Sequence, residues 1–261
     1  MNQEETLQVQ SPDAVLSCIL DMGELLLMGG GEVFRVEDTL GRLCAAYGFQ
    51  KINVFSITSS IVLTVECPDG TIKTQTRRIV NRGTNLHCVA QVNALSRQLC
   101  ANPVSVAEFQ EKLDDIRKEK TYPQFVVALS YALISCVFAV FFGGSWMDGL
   151  AAAISGLVVF TAQQIIGRLR MNNLLENLLV SAFTALAVVL LVRLGIGDSP
   201  AKITIGNIML LIPGISFTTS LRDIINGDTI SGLTGISEAA IKAIAIAIGF
   251  ALVLVQMGGA V

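Results

Sequence analysis

The chain has 261 residues, 52% of them hydrophobic, and a formal net charge of −3. Without a basic or acidic tail, that balance argues against a nucleic-acid partner. The six cysteines (18, 44, 67, 88, 100 and 136) form no C-x-x-C pair and the single histidine is His87, so neither a metal site nor a cofactor is expected, and the cysteines read as reduced, buried thiols of a cytosolic domain.

Charge is distributed unevenly. Of 39 charged residues (18 basic, 21 acidic), 27 lie in the first 123 positions. The rest of the chain holds several apolar runs of bilayer length, more than one soluble core explains. The expected fold is an α+β cytosolic domain at 1–121, then an all-α polytopic membrane bundle of about five transmembrane helices at 122–261. Residues 1–12 are polar, so no cleavable signal is expected and the first span acts as the insertion signal.

In chain order, Ser11-Pro12-Asp13 reads as a helix cap, and Val15 to Met28 repeats apolar residues at helical spacing. Gly29-Gly30-Gly31 stops that helix. A second runs from Val36 to Ala46 and stops at Gly48. The β-branched segments Lys51–Thr58, Ser60–Glu66 and Thr71–Ile79, with a Pro68-Asp69-Gly70 turn, predict a short meander sheet. Thr84–Cys100 and Val104–Lys118 are helical, giving the order ααβββαα.

The triple glycine follows a helix and lacks both G-x-G-x-x-G and a Walker lysine, so it reads as a helix stop, not a nucleotide loop. His87 and Cys88 are adjacent on a helix and do not face each other, so His87 reads as a surface or half-buried histidine. Arg35, Glu37, Asp38, Arg77 and Arg78 read as solvated charges. No catalytic pair emerges, and an enzyme is not expected.

The predicted spans are 124–143, 149–166, 174–194, 203–225 (broken at 213–214) and 239–257. Basic residues set the orientation. Lys112, Arg117, Lys118, Lys120, Arg168, Arg170 and Arg222 fall on the N-terminal side, and Arg193 and Lys202 on the other. That asymmetry predicts a cytosolic N-terminal domain and an external C-terminus. Lys242 and Glu238, four residues apart, are expected to pair and snorkel near the cytosolic end of the last span. Gly149, Ala152, Ala153 and Gly156 form a small-residue face for close helix contact.

The fourth span carries the candidate chemistry. Pro213 has no N–H and clashes with the Met209 carbonyl, and Gly214 eases a sharp bend. Such a break frees carbonyls and presents a half-helix N-terminus, groups that suit a zwitterion or organic acid. Ser216, Thr219, Ser220 and Asp223 follow i, i+3, i+4, i+7 spacing and predict one polar face. Arg222 is placed to hold a substrate carboxylate. The alternative is a kinked packing helix whose hydroxyls bond back to their own carbonyls. Candidate proton-coupling acids are Asp223, Glu176 and Asp148. Asp148 also reads as a helix cap beside Trp146, and Glu176 as a first-turn residue.

Four stretches resemble the threonine/serine exporter family: LLLMGGGEVFRVEDT (25–39), RRIVNRGTNL (77–86), GGSWMD (143–148) and IPGISFTTSLRDIINGD (212–228). The resemblance covers nearly the whole chain in order. It implies a secondary exporter of a small amino acid or organic acid in the bacterial inner (plasma) membrane, driven by protons. The expected substrate is threonine/serine or a dicarboxylate such as succinate. Full-length members carry about ten spans and this chain about five, so it resembles the larger half of a split form. That implies a second, smaller membrane subunit as partner. The competing readings are a membrane-anchored hydrolase-like enzyme and a regulatory membrane subunit without transport of its own.

Overall fold

The computed structural model describes residues 11–80, 83–118, 122–169 and 171–257, with only the backbone of Met257. Residues 1–10, 81–82, 119–121, 170 and 258–261 lie outside the described residues, and so do the expectations that fall on them. The chain divides into two compact units: Met1–Lys120 with Ile215–Ser237, and Thr121–Gly214 with Glu238–Val261.

The first unit opens with α1 (Pro12–Met28) and α2 (Val33–Ala46). Ser11 occupies the cap position of α1 but makes no side-chain cap bond; Pro12 at N1 presets the first turn instead. At the other end the Gly29 and Gly31 N–H groups return to the Leu25 and Leu26 carbonyls, and Gly30 takes φ +87°. That left-handed step is inexpensive only for glycine, so the triplet is a helix stop. Gly48, at φ +83°, ends α2 in the same way. Strands β1 (Gln50–Ile57), β2 (Ser60–Glu66) and β3 (Ile72–Arg78) form an antiparallel meander. Helices α3 (Leu86–Ala101) and α4 (Val106–Lys118) follow.

Alternation on β2 buries Ile61, Leu63 and Val65 against α1 and α2, in one core with Leu16, Leu27, Leu40 and Phe109. Glu37 and Arg77 are not the solvated charges the sequence suggests. Glu37 Oε1 accepts the Ser56 N–H at 2.5 Å and the Ser56 hydroxyl at 3.1 Å. The Arg77 guanidinium reaches Asp21 and the Ser17 hydroxyl, tying β3 to α1. Burial raises the Glu37 carboxyl above its usual range, partly offset by the Ser56 bonds.

Cys18 and Cys44 are fully buried in this core. Burial pushes the Cys18 thiol up to about 11 and the Cys44 thiol up to about 12. Thiolate is the reactive species. Both are therefore expected to resist iodoacetamide at pH 8 in the native protein and to label fully in denaturant. Native alkylation at the rate of a free thiol, read by mass spectrometry, would contradict this core.

The second unit holds α5 (Gln124–Phe141), α6 (Trp146–Ile166, continued as a 3-10 turn to Leu169), α7 (Asn173–Arg193) and α8 (Pro200–Leu211). Helix α9 (Gly214–Ile225) follows the break, and α10 runs from Thr229 to Met257. Among the described residues four helices are long and apolar enough to cross a membrane, or five if the bent pair α8 and α9 is one span. This is a multi-pass membrane protein. The last helix begins ten residues before the span expected at 239–257.

Small residues set the helix contacts. A Cβ on Gly206 would lie 2.5 Å from the Ser135 carbonyl, and one on Gly156 2.7 Å from the Ser135 hydroxyl. Helices α6 and α8 therefore approach α5 closely. At the same place Asn207 donates to Ser155 Oγ at 2.7 Å and accepts from the Ser135 hydroxyl at 3.1 Å. All three side chains are fully buried, so the polar groups satisfy one another away from water.

Candidate functional site

The helix break lies where the sequence places it. Helices α8 and α9 are bent by 53° about Ile212-Pro213. The Gly214 N–H turns to the Ile212 carbonyl at 2.9 Å rather than to Leu210, which a continuous helix would give it. Pro213 can supply no donor to Met209. The ladder is thus interrupted at two successive positions.

The stripe expected on one face of α9 divides. Ser220 and Asp223 are buried, while Ser216 is exposed and Thr219 half-buried. Thr219 bonds back to the Ser216 carbonyl at 3.1 Å. Ser220 lies against Gly235 at the start of α10, which is why no side chain fits there.

Asp223 Oδ1 accepts the Val33 N–H at 3.0 Å. Val33 is the first residue of α2, and its own N-cap residue, Glu32, makes no side-chain cap bond. Asp223 therefore caps α2 from 190 positions away along the chain. Glu32 instead pairs with Arg222 at 2.7 Å. Ser231 Oγ adds a contact to the Ser56 carbonyl at 3.4 Å. Sequence reasoning missed this clasp; the one available signal was the adjacent basic and acidic pair, Arg222-Asp223, matched by Glu32 and the uncapped start of α2.

Asp148 and Glu176 are not brought together. Asp148 begins α6, whereas Glu176 Oε1 lies 3.5 Å from the Cβ position of Gly167 just past its end, roughly 28 Å of helix away. Asp148 forms a capping box with Ser145 and also accepts the Asp198 and Ser199 N–H groups at 2.7 and 2.8 Å. Both oxygens are engaged, and one carboxylate fixes the starts of α6 and α8. Asp148→Ala is expected to destabilise the protein by about 1.5–3 kcal/mol, the range for a hydrogen bond to a charged group. Thermal melting of the purified variants should place Asp148→Asn between it and the wild type. An unchanged melting temperature for Asp148→Ala would refute the capping role.

Glu176 is half-buried on the first turns of α7.

Residues 17–257 match the family described as "Putative threonine/serine exporter". The chain belongs to the threonine/serine exporter family. It is 23% identical over 254 residues to the Escherichia coli K12 protein named "Probable succinate transporter subunit YjjP", covering 97% of this chain and 98% of that one. It is 21% identical over 245 residues to the Mycobacterium tuberculosis H37Rv protein named "Probable threonine/serine exporter", covering 92% of this chain but 46% of that protein. With the Corynebacterium glutamicum "Threonine/serine exporter" the identity is 25% over 223 residues, 82% of this chain and 45% of that protein. No solved structure matches the chain.

Proposed function

We propose that this chain is one subunit of a secondary exporter that moves a small amino acid or organic acid, threonine/serine or a dicarboxylate such as succinate, outward by proton coupling. The observation that supports this is the interrupted helix: a proline break at 213–214, followed by hydroxyls and charges. Non-helical backbone at membrane depth is tolerated where it lines a cavity or is buried in protein. The helix break at Pro213 and Gly214 and the α9 side chains Ser216, Thr219, Ser220 and Arg222 form the substrate site. Asp223 binds an ammonium group or carries the proton, and Glu176 is the second candidate for the relay. Asp148, with both oxygens taken by caps, serves structure.

The N-terminal unit faces the cytosol and the C-terminus faces out, as the distribution of seven basic residues against two directs. The partner is a second, smaller membrane subunit of the same family. Alignment along a whole subunit in one relative, and along less than half of two others, supports that division. Cells loaded with threonine-containing dipeptides or with succinate test the reading. Deleting the gene should raise the intracellular level of one of them, and restoring it with its partner should lower it. Equal levels of both in all strains would refute it.

A further inference from the structure

Residues 215–237, which hold nearly all of α9 and the start of α10, belong to the same compact unit as the soluble domain. Within that unit they fold into an elbow. Gly232 and Gly235 let the first turns of α10 lie against Ile224 and Ser220 of α9. Three contacts tie the elbow to the soluble domain: Asp223 on the Val33 N–H, Ser231 on the Ser56 carbonyl, and Arg222 on Glu32. The first two join buried residues. The third is lopsided, with the Glu32 side chain 13% exposed and that of Arg222 62%. Glu32 occupies the N-cap position of α2, yet Asp223 supplies the cap bond, and Glu32 Oε1 accepts from Arg222 Nη1 at 2.7 Å instead. A guanidinium carries five donors in a fork that fits a carboxylate, and most of this one is uncovered.

We propose that Glu32 is a built-in competitor for the substrate carboxylate: it occupies Arg222 while the site is empty and yields it on loading. This rests on the reading above that Arg222 belongs to the site for a small exported acid. Glu32 and the substrate offer the same group to the same fork, so they compete for its donors. A pair with one exposed partner is worth only a few-fold in an equilibrium, and substrate displaces it without leaving a bare charge in a dry interior. The affinity for substrate is then reduced by the fraction of sites that Glu32 holds. By linkage, loading weakens the hold of the soluble domain on the elbow to the same degree, while the Asp223 and Ser231 contacts stay. The soluble domain thus sets how much substrate must accumulate before the site fills.

The test uses the full chain with its partner, in cells loaded with threonine or succinate, and reads the internal concentration that half-saturates export. Glu32→Gln keeps the length of the side chain and removes its charge. It should lower that concentration roughly two- to fivefold for both substrates, the strength of an exposed ion pair returned to the ligand. Arg222→Gln should raise it roughly ten- to hundredfold, the loss of a bond to a charged group. A pair that only holds the fold together predicts the same direction for both variants, because each removes one partner. It also predicts recovery in the exchanged double variant Glu32→Arg/Arg222→Glu, which competition leaves as impaired as Arg222→Gln. An unchanged or raised value in Glu32→Gln, or recovery in the exchanged variant, overturns the proposal. Where a variant does not reach the membrane, melting of the purified protein with about 10 mM succinate or threonine replaces the assay. A shift larger than wild type in Glu32→Gln and absent in Arg222→Gln supports the competitor; equal shifts in all three proteins overturn it. Wild-type export of either acid with no effect of Glu32→Gln removes this inference alone, whereas no export of either acid by the wild type removes the exporter reading with it.

Discussion

Asp223→Asn is expected to abolish most export while the protein reaches the membrane in normal amount. The proposed function gives this residue a second role beside its cap, and the amide separates the two. As the cap of α2, Asp223 gives Val33 N–H an acceptor at 3.0 Å. Asparagine offers the same oxygen and is an equally good cap residue, so the fold is preserved. It cannot carry a proton or neutralise an ammonium group. Asp223→Ala removes both functions and should additionally cost about 0.5–2 kcal/mol in stability, the usual value of a cap. Full export by Asp223→Asn together with loss in Asp223→Ala would reduce Asp223 to a cap. Pro213→Ala, which restores the donor for Met209, should lower export as well; wild-type rates in both Asp223→Asn and Pro213→Ala would place the substrate elsewhere in the bundle.

Gly249→Leu should have the largest structural effect of any single change in the membrane unit. A Cβ at this position of α10 would run into the Ser181 hydroxyl and the Leu178 carbonyl of α7. The carbonyl is backbone and cannot rotate away. Helix α10 would have to lift from α7, opening the layer of Val180, Ile246 and Phe250. Overpacking of this kind costs about 1–3 kcal/mol and occasionally more. Gly249→Leu should therefore lose its monodisperse peak after detergent extraction, with Gly249→Ala in between. Gly41 is the matched control. It lies within α2 with nothing within 4 Å of its Cβ position, so Gly41→Ala should be neutral or stabilising by up to about 1 kcal/mol through helix propensity. A Gly249→Leu protein as stable as wild type would contradict the α7–α10 contact.

The helices, the meander and the proline break were legible because each is written locally. Apolar spacing marks α1 and α2, β-branched alternation marks β2, and Pro213 interrupts its own hydrogen-bond ladder. The limits of helices α5 to α8 were legible within a few residues, those of α10 were not. Its first ten residues, 229–238, precede the expected span; Gly232 and Gly235 let them lie against Ile224 and Ser220. What could not be read were pairings between distant segments. Hydropathy places Asp223 near a span end but is silent on Val33. The polar face of α9 was misjudged for a related reason. Periodicity groups residues into an arc, but only the neighbouring elements decide which edge of the arc is covered. Here Ser220 and Asp223 are covered and Ser216 is not.

The central claim is export by two membrane subunits acting together. Its most direct measurement is transport in liposomes containing this chain alone, its smaller partner alone, or both, with labelled succinate or threonine inside and a proton gradient imposed. The account predicts gradient-dependent efflux only from vesicles holding both, abolished by Asp223→Asn. Full efflux from this chain alone as a monomer, or efflux from the pair that ignores the proton gradient, would contradict it.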